Sequence, residues 1–290
     1  MGKVLADTYA VARHVFEEAD ETLGFSLSRL CFEGPDDQLK LTENTQPALL
    51  TVSAAAFAVL QENGRTPDIV AGHSLGEYSA LVAAGSLKFA DAVRLVRNRG
   101  RYMQAAVPAG VGAMAAILKL PEGKLAGVLE QAAQGEIVSA ANLNTPEQIV
   151  IAGHAGAVNR AIDLAKAAGA RRGVLLPVSA PFHCALMKPA QERLRVDLDA
   201  TEFRDLVYPL VNNWQAAEIR TGAEAREGLY QQVPNPVRWV ESVRYLAAQG
   251  ITRCVEVGAG GVLTGLLRGI DPSLTGHRFG EPSELATLLV

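Results

Sequence analysis

One serine stands between two glycines, where a short apolar run gives way to a helix-forming segment. Ser74 is the centre of Gly72-His73-Ser74-Leu75-Gly76. The pattern predicts a short buried strand before it and places it at the N-terminus of a helix that continues through 78–84. In that context G-x-S-x-G is typical of a nucleophile elbow, a tight turn that lifts the hydroxyl clear of the backbone. We expect a side chain at either glycine to collide with neighbouring backbone. The alternative is that Ser74 merely caps the helix.

A histidine that could act as a general base lies further along the chain, at the end of a proline-rich loop. Pro177 and Pro181 stiffen this loop, which delivers His183 to the start of a helix. General-base catalysis depends on placing one side chain within hydrogen-bond reach, and a rigid loop favours that. The sequence alone is equally compatible with a capping or core histidine. His73 competes poorly, because in an extended backbone it points away from its neighbour Ser74.

The group that would orient this histidine is less apparent. In α/β-hydrolases an acid lies between the serine and the histidine in sequence. Here a predicted insertion fills most of that interval, and no Asp follows a strand at the right place. A backbone or side-chain carbonyl can orient the ring instead, and Gln232 is the candidate. A neutral orienting group makes the imidazole less basic, which favours transfer of an activated acyl group over attack on a stable amide.

One arginine falls on the apolar stripe of a helix that is predicted to begin at Asp91. Arg99 shares that stripe with Val96 and Met103. Three further arginines share another face, which we expect to be solvated: Arg94, Arg97 and Arg101. Because an arginine cannot shed its charge, Arg99 needs an anionic partner. Helical phase leaves two choices open: a buried carboxylate of the protein, or a substrate carboxylate held bidentately.

The composition is that of a globular protein from a reducing compartment. With 290 residues the chain can form one large domain or two, and its net charge of −4 argues against nucleic-acid binding. The three cysteines are far apart and odd in number, which argues against a disulfide framework or a metal site. No apolar run is long enough for a membrane span, and no signal-peptide core is present. We therefore predict a cytoplasmic protein with no metal and no cofactor, most simply a monomer.

The hydrophobic pattern divides the chain into two domains. The first part contains a predicted amphipathic helix over 9–23 and a buried helix over 48–63, with Pro47 in its first turn. After a Pro/Gly-rich hinge, shorter elements alternate: strand 113–118, helix 124–133, strands 138–142 and 148–152, helix 155–168 and strand 172–177. That β-α-β-β-α-β order is the ferredoxin-like pattern. We predict an α/β fold, with an α/β-hydrolase-like core and parallel sheet from 1–107 and 180–290, and a ferredoxin-like domain inserted at 108–179.

Five motifs, in order along nearly the whole chain, resemble those of the malonyl-CoA:acyl carrier protein transacylase family. They are Gly72 to Tyr78, Arg94 to Gln104, Ala180 to His183, Asn235 to Trp239, and Glu256 to Leu266. The resemblance implies the same two-domain fold. It also implies transfer of a malonyl group from malonyl-CoA to the phosphopantetheine thiol of acyl carrier protein, supplying fatty-acid biosynthesis.

The resemblance also implies a role for each matching residue. Ser74 becomes the nucleophile, His183 the base and Gln232 the group that orients it, while the N–H of Leu75 forms part of the oxyanion hole. Arg99 becomes the clamp for the malonyl carboxylate. Four more positions count as substrate-binding residues: Asn142 in the cleft between the domains, Phe182 beside the base, His73 and Met103.

One motif of the family has no counterpart here. The family opens with a strand and a Gly-Gln-Gly-Ser-Gln turn that supplies a second oxyanion N–H, whereas this sequence begins Met1-Gly2-Lys3-Val4. We expect that the sequence as given omits this segment rather than that the protein lost it. Three other functions stay open: a discrete acyltransferase of a polyketide synthase, a serine esterase or thioesterase on the same elbow, and a non-catalytic docking subunit.

Overall fold

The computed structural model describes residues 1–178 and 180–288, which form a mixed α/β fold. The α-helices in this part of the chain are Lys3–Thr8 (α1), Ala10–Leu23 (α2), Leu27–Glu33 (α3), Asp36–Leu39 (α4), Thr42–Glu62 (α5), Leu75–Ala83 (α6), Phe89–Ala105 (α7), Leu125–Ala133 (α8), Ala155–Ala167 (α9), Lys188–Asp199 (α10), Gly222–Gln232 (α11), Trp239–Ala248 (α12), Val262–Ile270 (α13) and Leu285–Leu288 (α14). The strands are Val70–Ala71 (β1), Gly112–Leu118 (β2), Val138–Thr145 (β3), Gln148–His154 (β4), Arg172–Leu175 (β5), Leu210–Val211 (β6), Glu218–Ile219 (β7), Arg253–Val257 (β8) and Thr275–Phe279 (β9). Ser179, the last residue of the predicted insertion, lies outside the described residues, as do 289 and 290.

Parallel pairing occurs in two separate small sheets. Strand β1 pairs in parallel with β6, and β6 pairs antiparallel with β7. Strands β8 and β9 form a parallel pair of their own. The single parallel sheet expected for the core is therefore divided in two within the described residues. The β1–β6 register sets Ala71 beside Val211, so the segments that follow these strands leave the same edge of the sheet.

The four remaining strands form an antiparallel sheet in the order β3-β4-β2-β5. Helices α8 and α9 pack together and contact this sheet, with a core that includes Ile117, Ile151 and Val158. The observed order β2-α8-β3-β4-α9-β5 is the order that the hydrophobic pattern predicts for 113–177. The largest difference in bounds is at β3, which runs three residues further than predicted and contains register shifts.

The long helix α5 begins before its proline, not after it. Pro47 has no N–H, so the carbonyl of Glu43 one turn earlier lacks its helical donor. Arg97 on α7 supplies a replacement, because its Nη1 donates to that carbonyl at 3.3 Å. Nη1 also donates to Asn44 Oδ1, and the guanidinium lies over the ring of Phe25. The prediction that Arg97 is solvated is wrong: its side chain is only 15% exposed.

Helix α7 also begins earlier than predicted, two residues before Asp91, whereas α6 begins at Leu75, directly after Ser74, as predicted for a serine at the helix N-terminus. Together with α10 and α11 these helices enclose an apolar core around Tyr78 and Leu81. None of the helices in the described ranges has the length and apolar character needed to cross a membrane.

Candidate active site

Ser74 occupies a strained turn between β1 and α6. Its φ of 52° and ψ of −107° lie in a region that non-glycine residues rarely adopt, as expected of a nucleophile elbow. A Cβ on Gly72 would lie 1.9 Å from the carbonyl oxygen of Gly76, so residue 72 must be glycine. A Cβ on Gly76 would meet no atom within 4 Å. The expected collision is therefore confirmed at Gly72 and wrong at Gly76.

His183 lies within hydrogen-bond reach of this serine. The Ser74 hydroxyl donates to His183 Nε2 at 2.7 Å, and His183 Nδ1 donates to the main-chain carbonyl of Gln232 at 3.0 Å. A carbonyl can only accept, so it fixes the proton on Nδ1 and leaves Nε2 as the acceptor for the serine proton. The predicted neutral orienting group is thus the backbone oxygen of Gln232, not its side chain.

Burial keeps this imidazole neutral. His183 is only 3% exposed, and desolvation, with the nearby charge of Arg99, lowers its pKa to about 3. At neutral pH the ring is therefore uncharged, with Nε2 as an acceptor.

The next residue, Cys184, is buried as well. Its thiol donates to the carbonyl of Pro181 at 3.1 Å, and burial raises the pKa of this thiol to about 11.

Arg99 reaches the same hydroxyl from α7. Its Nη2 donates to Ser74 Oγ at 3.1 Å and to Gln232 Oε1 at 2.9 Å, while Nη1 donates to Gln46 Oε1 at 2.7 Å. The side chain is 2% exposed, yet it forms no ion pair with any residue in the described ranges. Of the two partners that helical phase left open, an ion-paired protein carboxylate is therefore not found. A buried guanidinium with neutral partners, beside a nucleophile, suits an anionic group on the substrate.

A cavity of about 280 Å³ opens onto these groups. Seven of the predicted site residues line it: His73, Ser74, Leu75, Arg99, Met103, Phe182 and His183. Leu75 is the first residue of α6, where the helix offers its N–H no internal acceptor and the helix dipole favours negative charge. The helix N-terminus beside Ser74 therefore favours negative charge that develops on an acyl group bound there.

Asn142 does not line this cavity. It lies on β3, where its backbone bridges to Val237 and so joins the antiparallel sheet to the rest of the chain. The residue that faces the site from this strand is Asn144, whose Oδ1 is 2.8 Å from His73 Nε2. His73, one of the residues predicted to bind substrate, lines the cavity and packs edge-on against Trp239.

Two amide side chains hold the elbow in place, and the sequence analysis missed one of them, Asn213. Asn213 Oδ1 accepts from the Ser74 N–H at 2.6 Å, and Asn213 Nδ2 donates to the carbonyl of Gly72 at 2.7 Å. Gln232 Nε2 donates to the Ser74 carbonyl at 2.9 Å. A signal for Asn213 exists in the sequence: it follows the short apolar strand β6, whose carboxyl end adjoins that of β1. Polar residues at that edge of a parallel sheet commonly form sites.

A model of the acyl transferase domain family matches residues 1–270. The chain belongs to this family. The acyltransferase is 50% identical over 286 residues to the malonyl CoA-acyl carrier protein transacylase of Escherichia coli K12, with 98% of this chain and 93% of that protein covered.

Solved structures give the same result. The acyl carrier protein S-malonyltransferase of Vibrio cholerae superposes with a TM-score of 0.98 at 46% identity, covering 99% of this chain and 94% of that one. A malonyl-transacylase in complex with its type II polyketide synthase acyl-carrier protein superposes with a TM-score of 0.96 at 45% identity, covering 99% and 93%. Ser74, His183 and the cavity of this acyltransferase thus lie in a fold that these enzymes share.

Proposed function

We propose that this acyltransferase moves a malonyl group from malonyl-CoA to the phosphopantetheine thiol of acyl carrier protein, supplying fatty-acid biosynthesis. The observation that carries this proposal is Arg99: a buried cation with no ion-paired carboxylate among the described residues, 3.1 Å from the serine oxygen that would bear the acyl group. The names of the bacterial relatives support the same substrates.

The first half-reaction loads Ser74. His183 Nε2 takes the hydroxyl proton while Oγ attacks the thioester carbonyl, and the Leu75 N–H stabilises the oxyanion. The hydrogen bond from Arg99 to Oγ favours the developing negative charge on that oxygen. When the C–S bond breaks, the CoA sulfur takes the proton from His183. The malonyl group is then held on Ser74 as an ester.

The second half-reaction reverses these steps with a different thiol. The phosphopantetheine thiol gives its proton to His183 and attacks the ester carbonyl. As the C–O bond breaks, the proton returns to Ser74 Oγ and malonyl leaves on the carrier protein. This is ping-pong chemistry, with one base serving both directions.

Arg99 gives the selectivity in this scheme. A guanidinium binds the planar carboxylate of a malonyl group bidentately. An acetyl group has no carboxylate, so it does not compensate the desolvation of the Arg99 guanidinium. Phe182 narrows the cavity beside the base, which suits malonyl better than branched acyl groups.

We also propose a ferredoxin-like inserted domain, an α/β-hydrolase-like core and a cytoplasmic location. The domain at 108–179 is ferredoxin-like, which the antiparallel order β3-β4-β2-β5 supports. Residues 1–107 and 180–290 form the α/β-hydrolase-like core, which the elbow after β1 supports. A cytoplasmic location fits the free state of Cys31, Cys184 and Cys254.

A second candidate is an acyltransferase that serves a polyketide synthase. The likeness to the transacylase in complex with a type II polyketide synthase carrier protein favours it, because that enzyme has the same fold at 45% identity. A serine esterase is less well supported, since hydrolysis gives Arg99 no role. The two transferase roles are distinguished by the rates at which a fatty-acid carrier protein and a polyketide carrier protein remove the malonyl group from the enzyme.

Intact-mass measurement after mixing with malonyl-CoA or acetyl-CoA tests the proposal. We expect one malonyl group on the wild type, none on Ser74→Ala, and acetyl uptake only when Arg99 is replaced by Ala. Arg101→Ala is the matched control, because Arg101 lies on the same helix but faces Glu43 at the surface. Adding a phosphopantetheinylated carrier protein, whose thiol accepts the malonyl group, should then remove the malonyl group from Ser74. A wild type that gains no malonyl group contradicts the proposal, as does an Arg101→Ala variant that accepts acetyl like Arg99→Ala.

A further inference from the structure

A carboxylate that the reaction does not use lies fully buried behind the nucleophile. Glu77, on α6, is 0% exposed. Its Oε2 accepts from Gln232 Nε2 at 2.8 Å and from the N–H of Asn213 at 3.0 Å. Its Oε1 has no hydrogen-bond partner among the described residues. A carboxylate at this depth is costly unless a positive charge compensates it.

The side chain of Gln232 joins this carboxylate to Arg99. Gln232 Oε1 accepts from Arg99 Nη2 at 2.9 Å, while its Nε2 donates to Glu77. The amide therefore turns its oxygen toward the cation and its amino group toward the anion. If the Gln232 amide were flipped, its amino group would face the guanidinium and its oxygen would face the carboxylate. The two charges together therefore fix the orientation of the amide.

The pKa shifts of the two residues agree with an electrostatic link between them. Burial raises the pKa of Glu77 to about 7, while the hydrogen bonds from Gln232 and Asn213 and the charge of Arg99 act in the opposite direction. Burial lowers the pKa of Arg99, and the charges of Tyr78 and Glu77 oppose that effect. Arg99 forms no ion pair of its own within the described ranges, so the bridged carboxylate is a counter-charge that the free enzyme can supply.

We propose that Glu77 is a positioning residue whose carboxylate balances Arg99 through the amide of Gln232 until an acyl carboxylate arrives. This inference rests on the proposed function, which supplies that acyl carboxylate. The same Gln232 amide donates to the Ser74 carbonyl, and the Gln232 main chain orients His183. Through Gln232, Glu77 thus helps to position Arg99, Ser74 and His183 relative to one another. Malonyl loading exchanges an internal counter-charge for one on the substrate.

A mutant cycle in the unloaded protein tests the charge balance without any activity. The variants are Glu77→Gln, which keeps the shape, Arg99→Gln, which removes the positive charge, and Arg99→Lys, which keeps it. We expect the change in urea midpoint on Glu77→Gln to be less favourable in the wild type and in the Arg99→Lys background than in the Arg99→Gln background, where it removes an anion that has no counter-charge. Equal changes in all three backgrounds would overturn the proposal.

The cycle also decides the case in which Glu77→Gln does not fold. The charge account then predicts that the double variant Glu77→Gln/Arg99→Gln folds, since no buried charge remains without a counter-charge. A double variant that is also unfolded shows a merely structural role and overturns the proposal.

Loading provides a second readout. Enzyme carrying malonyl on Ser74, verified by mass, should show a higher thermal midpoint than free enzyme, and this rise should be larger in Glu77→Gln than in the wild type. Glu256→Gln is the matched control, because that carboxylate accepts the N–H groups of Leu263 and Thr264 at the start of α13, away from Arg99. It should lower both midpoints and leave the rise unchanged.

The two proposals fail in different ways. Equal rises in the wild type and Glu77→Gln overturn the role of Glu77 and leave malonyl transfer intact. A wild type that takes up no malonyl overturns the proposed function. The urea cycle still decides in that case whether Glu77 and Arg99 are coupled.

Discussion

The sheet β2–β5 and the centre around Ser74 are both buried, but different forces stabilise them. The sheet and its helices bury aliphatic side chains such as Ile117 and Ile151. The centre buries Glu77, Arg99 and Gln232 to a comparable depth. In the sheet, loss of a side chain leaves a cavity, whose cost follows the volume removed. In the centre, loss of one group leaves its partners without hydrogen bonds, and the cost follows the number of unpartnered atoms. We therefore expect sheet variants to change stability alone, and centre variants to change activity or the response to pH as well.

The largest expected effect is on activity, in Ser74→Ala. Without the hydroxyl no ester can form, so malonyl transfer should fall by about 10³-fold or more. The free energy of unfolding should change little, because the backbone groups of Ser74 keep their bonds to Asn213 and Gln232. Steady-state transfer and urea unfolding on one preparation check both expectations. A variant that transfers malonyl at a tenth of the wild-type rate would show that another group carries the acyl chain.

The sheet should show the opposite outcome. Ile151→Ala removes a fully buried side chain and should lower the free energy of unfolding by about 2–5 kcal/mol. The turnover number of the folded fraction should stay unchanged. Val196→Ala is the control, since Val196 is 69% exposed and its truncation should change stability by less than about 0.5 kcal/mol. If Ile151→Ala lowered the turnover number without lowering the free energy of unfolding, the proposed difference between the sheet and the centre would be contradicted.

The two glycines of the elbow should differ from each other. Gly72→Ala places a methyl group against the carbonyl of Gly76, which should cost about 1–3 kcal/mol or more and displace Ser74. Gly76→Ala meets open space near the start of α6 and should be neutral or stabilising by about 0.5–1 kcal/mol. Thermal unfolding and malonyl uptake measure the two effects. Equal losses in both variants would contradict the geometry of the turn.

The smallest effects concern the dependence of stability on pH. His183, with its pKa lowered from 6.5 to about 3, contributes stability that is complete above pH 6.5 and is lost as the pH falls toward 3. Glu77, with its pKa raised from 4.5 to about 7, contributes stability that is complete below pH 4.5 and is lost as the pH rises through 7. Between pH 4.5 and 6.5 the two contributions oppose each other.

Single variants separate these contributions. His183→Gln should reduce the loss of stability on acidification from pH 6.5, whereas Glu77→Gln should make the loss from pH 7 to 4.5 steeper. The free energy of unfolding in urea, measured across this range, decides between them. If both variants change the slope in the same direction, at least one of the two pKa shifts has the wrong sign.

The sequence predicted the sheet more fully than the centre, because a strand or helix pattern is local. The alternation at 113–118 and the helical spacing at 155–168 each need only neighbouring residues. The bonds of the centre join residues far apart: Ser74 to His183 spans 109 positions, and Gln232 to Ser74 spans 158. Residue chemistry could nominate Ser74, His183 and Arg99. It could not show which side chains meet.

The errors have specific physical causes. Arg97 was placed in solvent because helical phase takes no account of Pro47, whose missing N–H leaves a carbonyl on the neighbouring helix in need of a donor. Glu77 was overlooked because an acid early in a helix usually serves the helix dipole at the surface. The contact of Asn144 with His73 was missed because it joins two residues 71 positions apart, which no local pattern shows.

The burial of Cys184 has a consequence for an enzyme that handles thioesters. A reactive thiol one residue from the general base would compete with the incoming carrier thiol and trap the acyl group as a protein thioester. With its pKa raised to about 11 and its Sγ–H bound to Pro181, Cys184 holds almost no thiolate at neutral pH. In the proposed mechanism, the acyl group would therefore pass between foreign thiols through an oxygen ester alone. Storage with reducing agents and treatment with alkylating agents should leave the transfer chemistry intact.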